Sequence, residues 1–191
     1  MTDTKYIAFH GTLLILGLGS IGRAVLPLLL RHIEISPQQI KIVVPHQDDD
    51  DIGLKYAVQF VKKELTQDNF QHFFDQHLHK DDFILNFSVD VSSLSLLEYC
   101  WQKNIFYLDA CIAPWSEHYA NTSTTPGKRS NYRLREDLLS FRKDKQGGRT
   151  AVVTSGSNPG LASILIKQAL ENMALDCELE FKTPVNNDDW A

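Results

Sequence analysis

No stretch of this sequence is apolar for long enough to cross a bilayer. The longest such runs, residues 12–18 and 24–30, fall well short of the roughly 20 residues that a membrane-spanning helix needs. The opening residues carry no basic region leading into an apolar stretch, which argues against an export signal. Cysteine is scarce, with three in 191 residues and no Cys-x-x-Cys pair, so a disulfide framework or a zinc ribbon is excluded and reduced thiols in the cytoplasm are expected. There is no long basic stripe: 19 Lys plus Arg stand against 24 Asp plus Glu, a net charge of −5 that disfavours nucleic acid as a partner. Gly and Pro are too few for a collagen-like or low-complexity chain.

What is there is an alternation of short apolar runs with amphipathic stretches, the rhythm of an α/β protein with a doubly wound, Rossmann-like parallel sheet. Strands are predicted at residues 12–16, 40–44, 83–87, 105–108 and 150–154. Several are near-continuous Val, Ile, Leu and Phe, as in strands covered on both faces. Ile21, Ala24, Val25, Leu28 and Leu29 give the first helix an apolar face, with Pro27 expected to bend it. Leu54, Ala57, Val58, Val61 and Leu65 repeat helical spacing and predict a second helix. A third follows Thr66 as its N-cap, with Phe70, Phe73 and Phe74 facing inward, and a fourth is capped by Ser92 or Ser93 and runs to Lys103. Residues 130–143 and 161–173 predict two more, separated from the fourth strand by a loop over residues 109–129. Residues 177–182 read as a strand opening a new element. The expected division is therefore a dinucleotide-binding domain over residues 1–160 and, over 161–191, a connecting helix with the start of a truncated second domain, as in a fragment of something longer.

The strongest chemical signal is Gly17-Leu18-Gly19-Ser20-Ile21-Gly22, set between the first predicted strand and the first helix. In that context Gly17 permits a tight turn, Gly19 lets a pyrophosphate approach the backbone N–H groups at the positive helix end, and Gly22 lets helix and strand pack closely. The alternative is a tight turn with incidental glycines. An acidic residue for the adenosine ribose should end the second strand, but Val43-Val44-Pro45-His46-Gln47 stands there instead. Asp48 to Asp51 either bend back to the ribose or form a solvated loop. The lack of Arg in this segment favours NAD over NADP, a choice that Lys41 and Lys55 leave open.

Asn86, Phe87, Ser88, Val89 and Asp90 end the third strand, and Asp109, Ala110 and Cys111 the fourth, where a parallel sheet places a nicotinamide pocket. Ser88 and Asp109 read equally as caps or turn residues. Cys111 is a candidate nucleophile, although a buried structural thiol is the commoner outcome. The loop Ser155-Gly156-Ser157-Asn158-Pro159-Gly160 presents Asn158 toward the same edge. His72, His77 and His79 lie on different faces of a helix end and read as surface histidines, so no metal is expected.

Together these segments resemble the bacterial homospermidine synthases, relatives of the saccharopine and carboxynorspermidine dehydrogenases. The resemblance rests on Gly17–Gly22 with the following Arg-Ala-Val-Leu-Pro-Leu-Leu-Leu-Arg-His-Ile, Asn86-Phe-Ser-Val-Asp-Val-Ser-Ser, Tyr107-Leu-Asp-Ala-Cys-Ile-Ala-Pro-Trp, Arg129-Ser-Asn-Tyr-Arg-Leu-Arg-Glu and Ser157-Asn-Pro-Gly. It implies bound NAD and a reaction in which a diamine, typically putrescine or possibly spermidine, is oxidised to an imine. Ammonia then leaves, a second amine condenses and the new imine is reduced. It further implies that Asp90 and Asn158 line the diamine pocket, and leaves a homodimer of the full-length protein open. Two departures stand out. The family commonly has Glu where this chain has Ala113, and its members are more than twice as long. An NAD(P) dehydrogenase of the saccharopine or carboxynorspermidine type and a non-catalytic NAD-binding module are the alternatives.

Overall fold

The computed structural model describes residues 4–46, 50–117, 125, 127, 130–143, 145–154 and 161–179. They fall in two compact units, Met1–Thr154 and Ser155–Ala191.

The first unit holds a parallel sheet of six strands: β2 (Leu13–Leu16), β4 (Ile40–Val44), β5 (Gln59–Lys62), β6 (Phe83–Asn86), β7 (Phe106–Asp109) and β8 (Ala151–Val152), in the order β5-β4-β2-β6-β7-β8. Successive side chains of a strand point to opposite faces, and the sequence uses both. Leu14, Leu16, Val43, Ile84 and Tyr107 pack on one face with Phe70, Phe73 and Phe74 of α3 (Phe70–His77) and Leu96, Tyr99 and Cys100 of α4 (Ser93–Lys103). Leu13, Ile15, Ile40, Ile42 and Leu85 pack on the other, beneath Leu26 of α1 (Ser20–His32) and Ile52 and Tyr56 of α2 (Asp50–Tyr56). Helices on both faces of a parallel sheet make the doubly wound α/β arrangement that the apolar runs predict. The strand order reverses at β2, which lies between β4 and β6, and so opens a crevice beyond its carboxyl end.

Several local expectations are corrected. The helix predicted over residues 54–65 stops at Tyr56; Ala57 takes a left-handed φ of 56°, and Gln59–Lys62 continues as edge strand β5 paired with β4. The β-branched and aromatic character of Phe60 and Val61 wins over the helical spacing of the apolar residues. Thr66 does not cap α3; Asn69 is the N-cap, and its Oδ1 accepts a hydrogen bond from the Thr66 N–H at 3.0 Å. In α1, which runs unbroken through Pro27, the inward stripe is Gly22, Val25, Leu26 and Leu29, while Ile21 and Leu28 are more than half exposed. Close approach at Gly22 turns the helix by about one position from the predicted face. A two-stranded parallel pair, β1 (Ile7–Ala8) with β3 (Ile33–Glu34), is too short to show in the sequence pattern.

Ser92 caps α4 as expected, its Oγ accepting the Ser95 N–H, and Asn104 closes that helix in the left-handed conformation. The helix α5 (Asn131–Lys143) leads toward β8. In the second unit the described residues form α6 (Ala162–Asp176), and Cys177 and Glu178 lie in a turn where a strand was expected to begin; residues 180–182 lie outside the described part.

Because Ala57 is exposed and left-handed, Ala57→Gly should raise stability by about 0.5–1 kcal/mol, relief of the strained conformation outweighing the added freedom of the unfolded chain. A continuous helix through this position would instead lose about 1 kcal/mol. Urea midpoints of the two proteins distinguish the cases.

Candidate functional site

The glycine turn sits where the strand order reverses. Gly17 has φ +81° and donates its N–H to the Val43 carbonyl at 3.0 Å, tying the end of β2 to β4. A Cβ on Gly17 would stand 3.1 Å from the Ser88 nitrogen and 3.2 Å from the Phe87 carbonyl carbon, so the loop after β6 rests directly on this glycine. A Cβ on Gly22 would lie 2.9 Å from the Gly17 carbonyl oxygen, which is how closely the helix start meets the strand end. Gly19 differs: it is the N-cap, and a Cβ there would meet nothing within 4 Å. The cap brings no side-chain hydrogen bond and the first turn no acidic residue, so neither occupies the leading N–H groups of α1. Ser20 and Ile21 are exposed there and Gly22 is buried.

Beside this turn lies a cleft of about 280 Å³ bounded by the ends of four strands. Gly17, Pro45, Ser88 and Asp90 line it, as do Lys63, Glu64 and Thr66 beyond β5 and Trp115 from the segment after β7. The residues after β5 were hidden in the sequence because that strand reads as helix; the extended, β-branched step Phe60-Val61 is the signal that marks it. Val89 points away into solvent at 65% exposure. A second cleft of about 350 Å³ is lined by Ser92, Ala113, Trp115, Glu117 and Asp137. Ala113 itself is buried, its N–H on Ser93 Oγ at 3.1 Å and its carbonyl accepting the Ser93 N–H at 2.9 Å.

Asn86 and Asp109, expected to line the nicotinamide pocket, turn their side chains into the interior. They are cross-strand partners at the ends of β6 and β7, and their side chains are 1% and 0% exposed. Both are consumed in a buried chain of hydrogen bonds. The Thr154 N–H donates to Asp109 Oδ1 at 2.6 Å, Tyr107 OH to Asp109 Oδ2 at 2.9 Å, and Asn86 Nδ2 to Tyr107 OH at 3.3 Å. Asn86 Oδ1 accepts both the N–H (3.0 Å) and the hydroxyl (2.6 Å) of Ser88. Of this set only Ser88 reaches the cleft. Phe87 and Ala110 are half-buried, Phe87 packing among the apolar side chains beneath α1. Asp90 is exposed at the cleft rim. Cys111 is exposed, not buried, and desolvation followed by the nearby Asp109 charge raises its pKa, which works against a thiolate nucleophile. Asn158 and its loop lie outside the described residues.

The three histidines stay apart: His72 pairs with Gln76 at 3.1 Å, His77 packs on Phe73 with ring centroids 4.4 Å apart, and His79 lies 3.8 Å from Asp82. Among the described residues no three His, Cys, Asp or Glu side chains gather as a metal site, and no helix is long and apolar enough to cross a membrane.

Burial raises the Asp109 pKa, while the Thr154 N–H, Tyr107 and Ser93 pull against the rise. A carboxyl whose folded pKa lies above its unfolded value holds more protons folded than unfolded in the window between the two, so its contribution to stability falls as pH increases through that window. Asp109→Asn removes this titration. Stability of the wild-type protein measured against Asp109→Asn should therefore decline from about pH 4 upward until the raised folded pKa is passed, then level off. A difference independent of pH would contradict the buried, titrating carboxyl.

Residues 13–152 match the family model described as the saccharopine dehydrogenase NADP binding domain. Homospermidine synthase of Blastochloris viridis is 35% identical over 100% of this chain and 41% of its own length; that of Mesorhizobium japonicum is 34% identical over 97% and 39%. A crystal structure of the homospermidine synthase from Legionella pneumophila in complex with NAD superposes with a TM-score of 0.83 at 34% identity, covering 98% of this chain and 38% of that one. The chain thus spans about two fifths of the length of these relatives. With its six parallel strands, reversed order at β2 and glycine turn at that reversal, the chain belongs to the saccharopine dehydrogenase NADP-binding domain family.

Proposed function

We propose that this chain is the NAD-holding part of a homospermidine synthase-like enzyme, which in its longer form joins two diamines such as putrescine with release of ammonia. The observation that carries the reading is the bare start of α1: a helix end with no capping side chain, opening at Gly19 on space a pyrophosphate can enter. The N–H groups of Ser20, Ile21 and Gly22 hold the pyrophosphate there, where the helix dipole favours negative charge. Absence of Arg from residues 45–56 favours NAD, since no guanidinium meets a 2′-phosphate. Glu64, lining the cleft beyond β5, takes the ribose role for which the end of β4 has no carboxylate.

When bound, NAD accepts a hydride from an amine-bearing carbon and returns one to an imine carbon. The chain's own part is to orient and exclude. Ser88 and Asp90 follow β6 into the cleft, and the exposed Asp90 carboxylate holds an ammonium group through charge-assisted hydrogen bonds. Asn158 is assigned the complementary task of orienting the amine. Ala113 offers no carboxylate, so the second ammonium group depends on other residues, with Glu117 and Asp137 lining the cleft beside it. A dehydrogenase of the saccharopine or carboxynorspermidine type is the second reading, favoured by the family model matched over residues 13–152.

Gly19→Val places a branched side chain where the pyrophosphate must lie and should weaken NAD binding by about 100-fold, the equivalent of losing one or two charge-assisted hydrogen bonds. Titration calorimetry of the folded variant checks this, and undiminished affinity would remove the dinucleotide reading. In the full-length enzyme, Asp90→Asn should raise the putrescine KM about tenfold or more while NAD affinity holds. Parallel loss of both would assign Asp90 to the cofactor or the fold.

A further inference from the structure

The buried chain from Asp109 to Ser88 has a direction, and the direction is fixed at its inner end. Tyr107 donates its single proton to Asp109 Oδ2, 2.9 Å away, the arrangement in which the carboxylate only accepts. The phenol oxygen then has only lone pairs left to offer Asn86, which turns its NH₂ inward to donate to it at 3.3 Å. That orientation leaves Asn86 Oδ1 pointing outward, where it takes the Ser88 N–H at 3.0 Å and the Ser88 hydroxyl proton at 2.6 Å. Asp109 is itself anchored on its other oxygen by the Thr154 N–H. Burial at 1% or less for Asn86, Tyr107 and Asp109 keeps water from scrambling the sequence of donors and acceptors.

We infer that Tyr107, Asn86 and Asp109 are positioning residues which make Ser88 an obligate hydrogen-bond acceptor in the cleft, so that the cleft selects a ligand presenting an O–H or N–H donor at that point. The Ser88 hydroxyl proton is directed into the protein, and only its lone pairs face the cleft it lines beside Gly17. The same chain holds the Ser88 backbone where a Cβ on Gly17 would come within 3.1 Å of it, so the relay also sets the height of the loop over the glycine turn. A dinucleotide offers such donors on its ribose hydroxyls and carboxamide. The inference rests on the NAD reading above.

Two measurements on this chain test it. Tyr107→Phe keeps the ring and deletes the one hydroxyl that transmits direction. Native-state amide exchange should then speed up at Ser88 by about tenfold while Leu14 and Ile84 in the neighbouring strands keep their protection. For NAD, Tyr107→Phe and Ser88→Ala should each raise Kd about tenfold, and the double variant should be no worse than either alone, because both cut the same relay. A purely structural tyrosine would leave Ser88 exchange in step with the core and give multiplicative effects on Kd; either result overturns the proposal. Should Tyr107→Phe fail to fold, Ser88→Ala with Asp109→Asn supplies the same cycle from the two ends. Unchanged Ser88 exchange with NAD still bound sinks the relay and spares the NAD reading. A wild-type chain that takes up no NAD sinks that reading, and the proposal built on it.

Discussion

Strand end, helix start and the loop after β6 meet at the glycine turn with no room for a side chain at Gly17 or Gly22. A Cβ at Gly22 would approach the Gly17 carbonyl oxygen to 2.9 Å, and one at Gly17 the Ser88 nitrogen to 3.1 Å. Two neighbouring elements and one distant in sequence are thereby set at one height: β2 ends there, α1 begins there, and the loop leaving β6 lies across both. The rotation of α1 follows from it, because pressing Gly22 against the strand brings Val25, Leu26 and Leu29 onto the sheet and turns Ile21 and Leu28 outward. A larger residue at either glycine would lift the helix start and separate the donors that the site needs together.

A second constraint acts inside the sheet. Asn86, Tyr107 and Asp109 place polar groups where the rest of that face is Leu14, Leu16, Val43 and Ile84. Left unpaired, each would cost about 1–3 kcal/mol; paired in series they connect β6, β7 and Thr154 at the carboxyl edge, where ladder hydrogen bonding ends. The opposite edge has a counterpart in the buried Asp82, whose two oxygens accept the Thr12 and His79 N–H groups at 2.6 and 2.7 Å. Carboxylates thus fasten strand termini at both ends of the central strands, and the apolar residues between them supply the burial.

Legibility in the sequence followed length and contrast. β2, β6 and β7 are short apolar runs bounded by polar residues, β4 is one interrupted only by Lys41, and each stands within a residue of where its run predicts. β5 was lost because Leu54, Ala57, Val58, Val61 and Leu65 keep helical spacing across a boundary set by tertiary pairing: the helix ends at Tyr56, Ala57 reverses the chain, and β4 recruits the rest. With β5 went Lys63, Glu64 and Thr66, a whole wall of the cleft. Asn86 and Asp109 were recognisable as polar residues at strand ends, but sequence cannot show that two such residues face each other across adjacent strands with Tyr107 between them. Only register reveals that pairing.

The two halves of the proposed site ask different things of the fold. A pyrophosphate needs backbone donors and space, and both come from a single strand-turn-helix unit whose geometry is fixed locally. An ammonium ion needs carboxylates, and those must converge from several elements. Here Asp90 stands on one loop, Glu117 follows β7, Asp137 lies on α5 bound to Arg133 at 2.7 Å, and Ala113 contributes none. On the proposed reading, phosphate recognition needs about six consecutive residues, whereas amine recognition would draw on positions whose union requires more of the fold. That asymmetry in how the two charges are met is the physical reason the cofactor half of the site reads clearly from sequence and the amine half does not.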